Sequence, residues 1–134
     1  MTDLKKVVAG LPWIGEPGGV CLIGQRLPGI ALENHWEAPG GTRRENETEE
    51  GCLFREYNEE FPGFEFEIIR RVGENKTGRI HLVLYEVVYT GGGFFPQAHS
   101  NIALPRIDEI LGRYDPVAPA DIPLLREIRE RYAA

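Results

Sequence analysis

Cysteine is scarce in this chain: only Cys21 and Cys52 occur among 134 residues. One sits in an apolar run and the other in a helical pattern, without the paired spacing of a metal site or a disulfide framework. Both are expected as buried free thiols. Basic excess is also missing. The 15 Lys and Arg face 21 Asp and Glu, a formal net charge of −6. That balance argues against sequence-independent binding to nucleic-acid polymers, which relies on a basic surface to displace counterions. It leaves phosphate-bearing small molecules open, because bound divalent cations reverse the local sign. No apolar run approaches the length needed to span a bilayer. The start, Met1-Thr2-Asp3-Leu4-Lys5-Lys6, lacks the apolar core of a signal peptide. The expectation is a cytoplasmic protein without membrane contact.

What is present fits one globular domain spanning residues 1–134. A hydrophobic share of 42% beside 27% charged residues is enough for a single sizeable core. Apolar runs at residues 6–9 and 19–25 predict strands, and residues 10–18, with two prolines and three glycines, predict a loop. Residues 27–39 read as irregular. A helical pattern covers 48–61 and ends at Pro62-Gly63; its N-terminal boundary stays loose. Residues 64–68 alternate apolar and polar, and 79–89 form a β-branched and aromatic run, so both predict strands. Gly91-Gly92-Gly93 predicts a turn, 107–111 a short helix, and 122–132 an amphipathic helix with Leu124, Leu125 and Ile128 on one side. Strands interleaved with an internal and a terminal helix imply an α/β domain with a mixed β-sheet.

The informative stretch begins at Gly40-Gly41-Thr42-Arg43-Arg44-Glu45-Asn46-Glu47 and continues to Arg55-Glu56-Tyr57-Asn58-Glu59-Glu60. It reads as a turn of two glycines ahead of a helix whose closing turns carry carboxylates at 56, 59 and 60. Positions i, i+3 and i+4 share one helical face. Like charges there weaken the helix by about a few tenths of a kcal/mol per pair. The arrangement makes sense when a cation sits among them, and hard oxygen ligands suit Mg²⁺, with Mn²⁺ as the alternative. Arg55, one position before Glu56, points to a different helix side and stands apart from that cluster.

Gly41, Glu47, Arg55, Glu56, Tyr57, Glu59 and Glu60 fall at the spacing of the Nudix box, and the chain resembles the Nudix hydrolase family over most of its length. The match departs at its end, where Pro62 takes the place of a glycine and Gly63 that of an apolar residue. Trp36-Glu37-Ala38-Pro39-Gly40-Gly41 resembles the family's lead-in, with Trp36 read as a packing anchor or a base-stacking platform. Residues 118–125, Ala-Pro-Ala-Asp-Ile-Pro-Leu-Leu, resemble the segment before the last helix of the MutT-like and CTP pyrophosphohydrolase-like branch. The resemblance implies a Nudix-type α/β/α sandwich and a Mg²⁺-dependent pyrophosphohydrolase. That enzyme would split a nucleoside triphosphate into monophosphate and pyrophosphate. A dinucleoside polyphosphate or nucleotide-sugar hydrolase is the alternative within enzymes. A nucleotide-binding regulatory domain without turnover is the alternative outside them. The resemblance also allows a homodimer.

By the same resemblance Glu56, Glu59 and Glu60 ligate metal, with a backbone carbonyl from Gly40 or Gly41 completing the set. Arg55 pairs with Glu47 and orients the glutamates. Arg26, ending a strand, is a phosphate-contact candidate. Asp121 stands where MutT carries a base-reading asparagine; as an Asp before a helix it could equally be an N-cap. Gln97-Ala98-His99 resembles a loop where relatives carry a further acid, yet Ser100 and Asn101 follow here. The water-activating base is then Glu56 or Glu59, with His99 as another candidate. His35 and His81 carry no pattern.

Overall fold

The computed structural model describes residues 4–93 and 95–133; the first three residues of the N-terminal stretch discussed above lie outside them. In chain order the elements are strands β1 (Lys5–Trp13), β2 (Ile23–Arg26), β3 (Trp36–Glu37) and β4 (Gly40–Thr42), then helix α1 (Glu49–Glu60). Strands β5 (Glu65–Thr77), β6 (Ile80–Gly91) and β7 (His99–Ala103) follow. A 3₁₀ turn (Ile107–Glu109) leads into helix α2 (Ile110–Arg113), and helix α3 (Ile122–Arg131) closes the described chain.

Four strands form a mixed sheet in the order β4-β1-β6-β5, with β1 parallel to β6 and the other pairs antiparallel. Strands β3, β2 and β7 form a second, antiparallel sheet. Alternation along β1 and β6 sorts their side chains onto two cores. Val8, Val83, Tyr85 and Val87 meet Cys52, Leu53 and Tyr57 of α1. Ala9, Leu11, Trp13, Leu82 and Leu84 meet Leu124, Leu125 and Ile128 of α3. Helices therefore cover both faces of the mixed sheet, the expected α/β sandwich. Both cysteines are buried free thiols, and burial pushes Cys21 up to about 12 and Cys52 up to about 11. Among the described residues no helix is long and apolar enough to cross a membrane.

Several boundaries differ from the sequence expectation. Strand β1 runs through Gly10, Leu11 and Pro12 to Trp13, so the loop expected at 10–18 begins only after it. Proline is tolerated there because β4 pairs only with Val7, Val8 and Ala9. Beyond them, the Pro12 carbonyl accepts from Leu22 N–H, and the missing proline donor faces that same unladdered edge. The stretch 27–39 contains the two-residue strand β3, and the two-glycine turn is instead strand β4. His99 opens strand β7 rather than lying in a loop. Helix α1 starts where Thr48 Oγ accepts from Gly51 N–H at 3.0 Å, which makes Thr48 the N-cap. It stops at Phe61, because Pro62 disfavours a helical residue before it and Gly63 takes φ 88°.

One buried charge ties the α3 layer to the sheet. Glu86 of β6 is fully buried. It accepts from Trp13 Nε1 at 2.8 Å and Tyr132 Oη at 2.5 Å, and it ion-pairs with Arg70. Trp13 and Tyr132 also meet edge to face, 5.0 Å between ring centroids. Removing the carboxylate strands three donors in or near the core, with Arg70 partly relieved by water. Glu86→Ala should therefore lower the unfolding free energy by about 2–4 kcal/mol, measured by denaturant titration. A change within about 0.5 kcal/mol would be that of an ordinary surface site and would contradict this role.

Candidate functional site

The closing turns of α1 converge on Arg55. Its Nε donates to Glu47 Oε2 at 2.6 Å and its Nη2 to Glu47 Oε1 at 2.9 Å, a two-point ion pair. Nη2 also reaches the Thr42 carbonyl at 3.0 Å. Nη1 donates to Oε1 of both Glu56 and Glu59, each at 2.9 Å. Arg55 thus joins the carboxylate cluster from which the helical-wheel argument had separated it. The reason is reach: a long planar fork bridges to i+4 and folds across to i+1, which Cβ directions alone do not reveal. Glu47 is held in turn by the Arg44 amide at 2.9 Å. Hydrogen bonds from Arg55, then from Arg44, pull its carboxyl down to about 2.

Strand β4 brings the main chain against this cluster. A Cβ at Gly41 would lie 2.1–2.4 Å from the Glu56 carboxylate, and one at Gly40 would lie 2.2 Å from the Val8 carbonyl oxygen. Only glycine permits either approach. The Gly41 carbonyl accepts from Cys52 Sγ at 3.7 Å, so it faces α1. Glu56, Glu59 and that carbonyl are hard oxygen donors beside one another, which fits Mg²⁺ or Mn²⁺. Arg55 takes only Oε1 of each glutamate, leaving Oε2 of both outside its grip. Among the described residues no three His, Cys, Asp or Glu side chains are already drawn together as a metal cage.

Glu60 is arranged differently. Its carboxylate is buried and accepts from Gln97 N–H at 2.6 Å and Ala98 N–H at 2.8 Å. His99 Nδ1 lies 2.9 Å from its Oε1. Burial works to raise the Glu60 carboxyl, but the bonds from His99 and the amides of Ala98 and Gln97 prevail, and it is held below the usual range. On the other side, His99 Nε2 lies 2.9 Å from Glu37 Oε2. Burial works to lower the His99 imidazole; the bonds to Glu37 and Glu60 outweigh it and bring it up to about 9. Arg26 continues the chain, with Nη1 3.3 Å from Glu37 Oε1 and Nε donating to the Ala31 carbonyl at 2.7 Å. Glu37 escaped the sequence reading. Its one signal was its place inside the Trp36–Gly41 lead-in.

Glu37 and Arg26 also line a cleft of about 180 Å³ that runs over β1 and β6 to Gly40 and Gly41. Its floor is apolar, formed by Val7, Ala9, Ile80 and Leu82, and Lys5 and Asp121 add charge at its wall. Asp121 precedes α3, yet its side chain caps nothing. It turns away and accepts from Ala38 N–H at 2.8 Å, deep in the cleft wall. Burial first, then the negative charge of Glu37, pushes its carboxyl up to about 8. Near neutral pH Asp121 therefore offers the cleft a donor as well as an acceptor. Trp36 packs edge to face on Tyr114, 5.2 Å between centroids, the arrangement of a packing anchor.

The fold recurs in solved structures. The ORF135 protein of E. coli matches with a TM-score of 0.73 and 27% identity over 98% of this chain and 93% of that one. The chain has the fold of Nudix hydrolases. A MutT protein from methicillin-resistant Staphylococcus aureus 252, described as a Nudix hydrolase, matches at TM-score 0.69 and 27% identity over 98% and 99% of the two chains. A Nudix hydrolase from Nitrosomonas europaea reaches TM-score 0.77 at 22% identity, over 98% of this chain and 74% of that one. No protein-family model and no curated protein matches the chain.

Asp121 makes the stability of this fold fall from acid pH to about pH 8. Its folded-state pKa lies above the unfolded value of about 3.9, so it contributes stability that is fully present below that value and is lost progressively as pH rises from there to about 8. Melting temperatures measured from pH 5 to pH 9 should fall for the wild type relative to Asp121→Asn, which stays neutral throughout. Parallel curves for the two proteins would contradict the assignment.

Proposed function

We propose that the chain is a Mg²⁺-dependent pyrophosphohydrolase that converts a nucleoside triphosphate to the monophosphate and pyrophosphate. The observation that carries the reading is the shared wall. Gly40 and Gly41 line the cleft on one side, and Gly41 meets the Glu56 carboxylate on the other. A nucleoside seated in the cleft would therefore extend its phosphates over β4 to the carboxylate helix.

Glu56 and Glu59 would hold the metal through the oxygens that Arg55 leaves aside, with Glu60 and the Gly41 or Gly40 carbonyl completing the set. When bound, a divalent ion supplies neutralisation of phosphate charge and a lowered pKa for an attacking water. Arg55, clamped by Glu47, fixes the two glutamates and screens their mutual repulsion. Glu56 or Glu59 would accept the proton of the attacking water. The apolar floor would take the base, and Asp121 would read its edge with one donor and one acceptor. Lys5 and Arg26 are the cations of the cleft wall; Arg26 Nη2 takes part in neither the Ala31 nor the Glu37 contact.

A binding domain without turnover is the rival. It is favoured by Pro62 and by the absence of a carboxylate among residues 97–101. Incubation of the protein with Mg²⁺ and a panel of nucleoside triphosphates, dinucleoside polyphosphates and nucleotide sugars, with the products identified, separates these readings. Pyrophosphate should be released from a triphosphate, and Glu56→Gln and Glu59→Gln should each lower kcat by about 10²- to 10⁴-fold. Absence of Mg²⁺-dependent hydrolysis across the panel would sink the enzyme reading. Full activity in both variants would sink the metal assignment.

A further inference from the structure

We propose that His99 is a positioning residue. Through Nδ1 it fixes the carboxylate of Glu60, and through Nε2 it ties that carboxylate to Glu37 on the cleft wall. The proposal rests on the function proposed above and extends it to a residue outside the carboxylate helix.

Three observations carry it. The first is placement: the His99 side chain is 4% exposed and stands 2.9 Å from each of two carboxylates on different elements, Glu60 of α1 and Glu37 of β3. A histidine held this way cannot turn without breaking a buried contact. The second is the room made for it. A Cβ at Gly24 of β2 would lie 2.7 Å from the His99 ring, so the ring lies flat against a strand position that tolerates no side chain. The third concerns Glu60. An ionised carboxylate offers about four lone-pair sites. The His99 ring meets Oε1, the Gln97 amide meets Oε2, and the Ala98 amide is shared between the two, so both oxygens are held in fixed directions. A carboxylate oriented by outer partners in this way is how proteins commonly aim an oxygen at a metal.

Two substitutions divide the bridge. Asn places its amide nitrogen near the position of Nδ1, and Gln places its own near that of Nε2. His99→Asn therefore keeps the Glu60 contact, whereas His99→Gln keeps only the Glu37 contact. The probes are Mn²⁺ alone, titrated by the electron paramagnetic resonance of the free ion, and hydrogen exchange at the Gln97 and Ala98 amides in metal-free protein. His99→Gln should weaken Mn²⁺ binding about 10- to 100-fold, whereas His99→Asn should stay within about threefold of wild type. Exchange at the two amides should quicken in His99→Gln only. Gly24→Ala, which crowds the ring without removing it, should weaken Mn²⁺ binding and quicken the same amides, and it serves if His99→Gln does not fold.

Equal affinity in wild type and both variants would overturn the proposal, as would equal loss in both, since that marks a mere space-filling role. A wild type that binds no Mn²⁺ overturns the function proposed above instead. In that case the amides decide the contact separately. Protection lost in His99→Gln and kept in His99→Asn upholds it, and any other pattern overturns it.

Discussion

Everything at the site depends on the guanidinium of Arg55. Glu47, Glu56 and Glu59 would otherwise repel one another over one turn of helix and its lead-in. A single planar cation contacts all three, and also the Thr42 carbonyl at the end of β4. Because the group is planar and always charged, it fixes directions as well as balancing charge. Lysine could supply the charge without the fork. The same contacts bind the loop 43–48 and the strand β4 to the helix, so the position of Gly41 against Glu56 follows from them.

A second network lies behind the first and has a different character. Arg55 works near the surface, where contacts are screened and exchange with water. Glu60, His99, Glu37 and Arg26 form a mostly buried line from the end of α1 to the loop carrying Ala31. Buried polar groups in such a line are costly when any one loses its partner. The two networks share helix α1, and each reaches the cleft lining, one at Thr42 and the other at Glu37 and Arg26.

Much of this was legible from residue spacing, and the failures are instructive. The carboxylate helix was readable because charge at fixed intervals on an amphipathic pattern survives translation into three dimensions. Strands β3, β4 and β7 were not, because they are short, glycine-bearing or polar, and exist only through partners distant in sequence. Pro12 disguised the end of β1, since its tolerance depends on where β4 stops. Arg55 was misplaced because a helical wheel records Cβ directions and ignores reach. Asp121 left two roles open in the sequence; its side chain leaves the helix it precedes for the amide of Ala38, 83 residues away. Glu37 was overlooked because nothing local distinguishes it from a solvated glutamate.

The central claim is that one ligand spans the cleft and the carboxylate helix. Anomalous diffraction from crystals grown with Mn²⁺ and a non-hydrolysable nucleoside triphosphate analogue tests it most directly. The account predicts an anomalous peak within coordination distance of Glu56 and Glu59, with the base over Val7, Ala9 and Leu82 beside Asp121. A nucleotide bound with its base elsewhere, or a metal peak away from those glutamates, would contradict it.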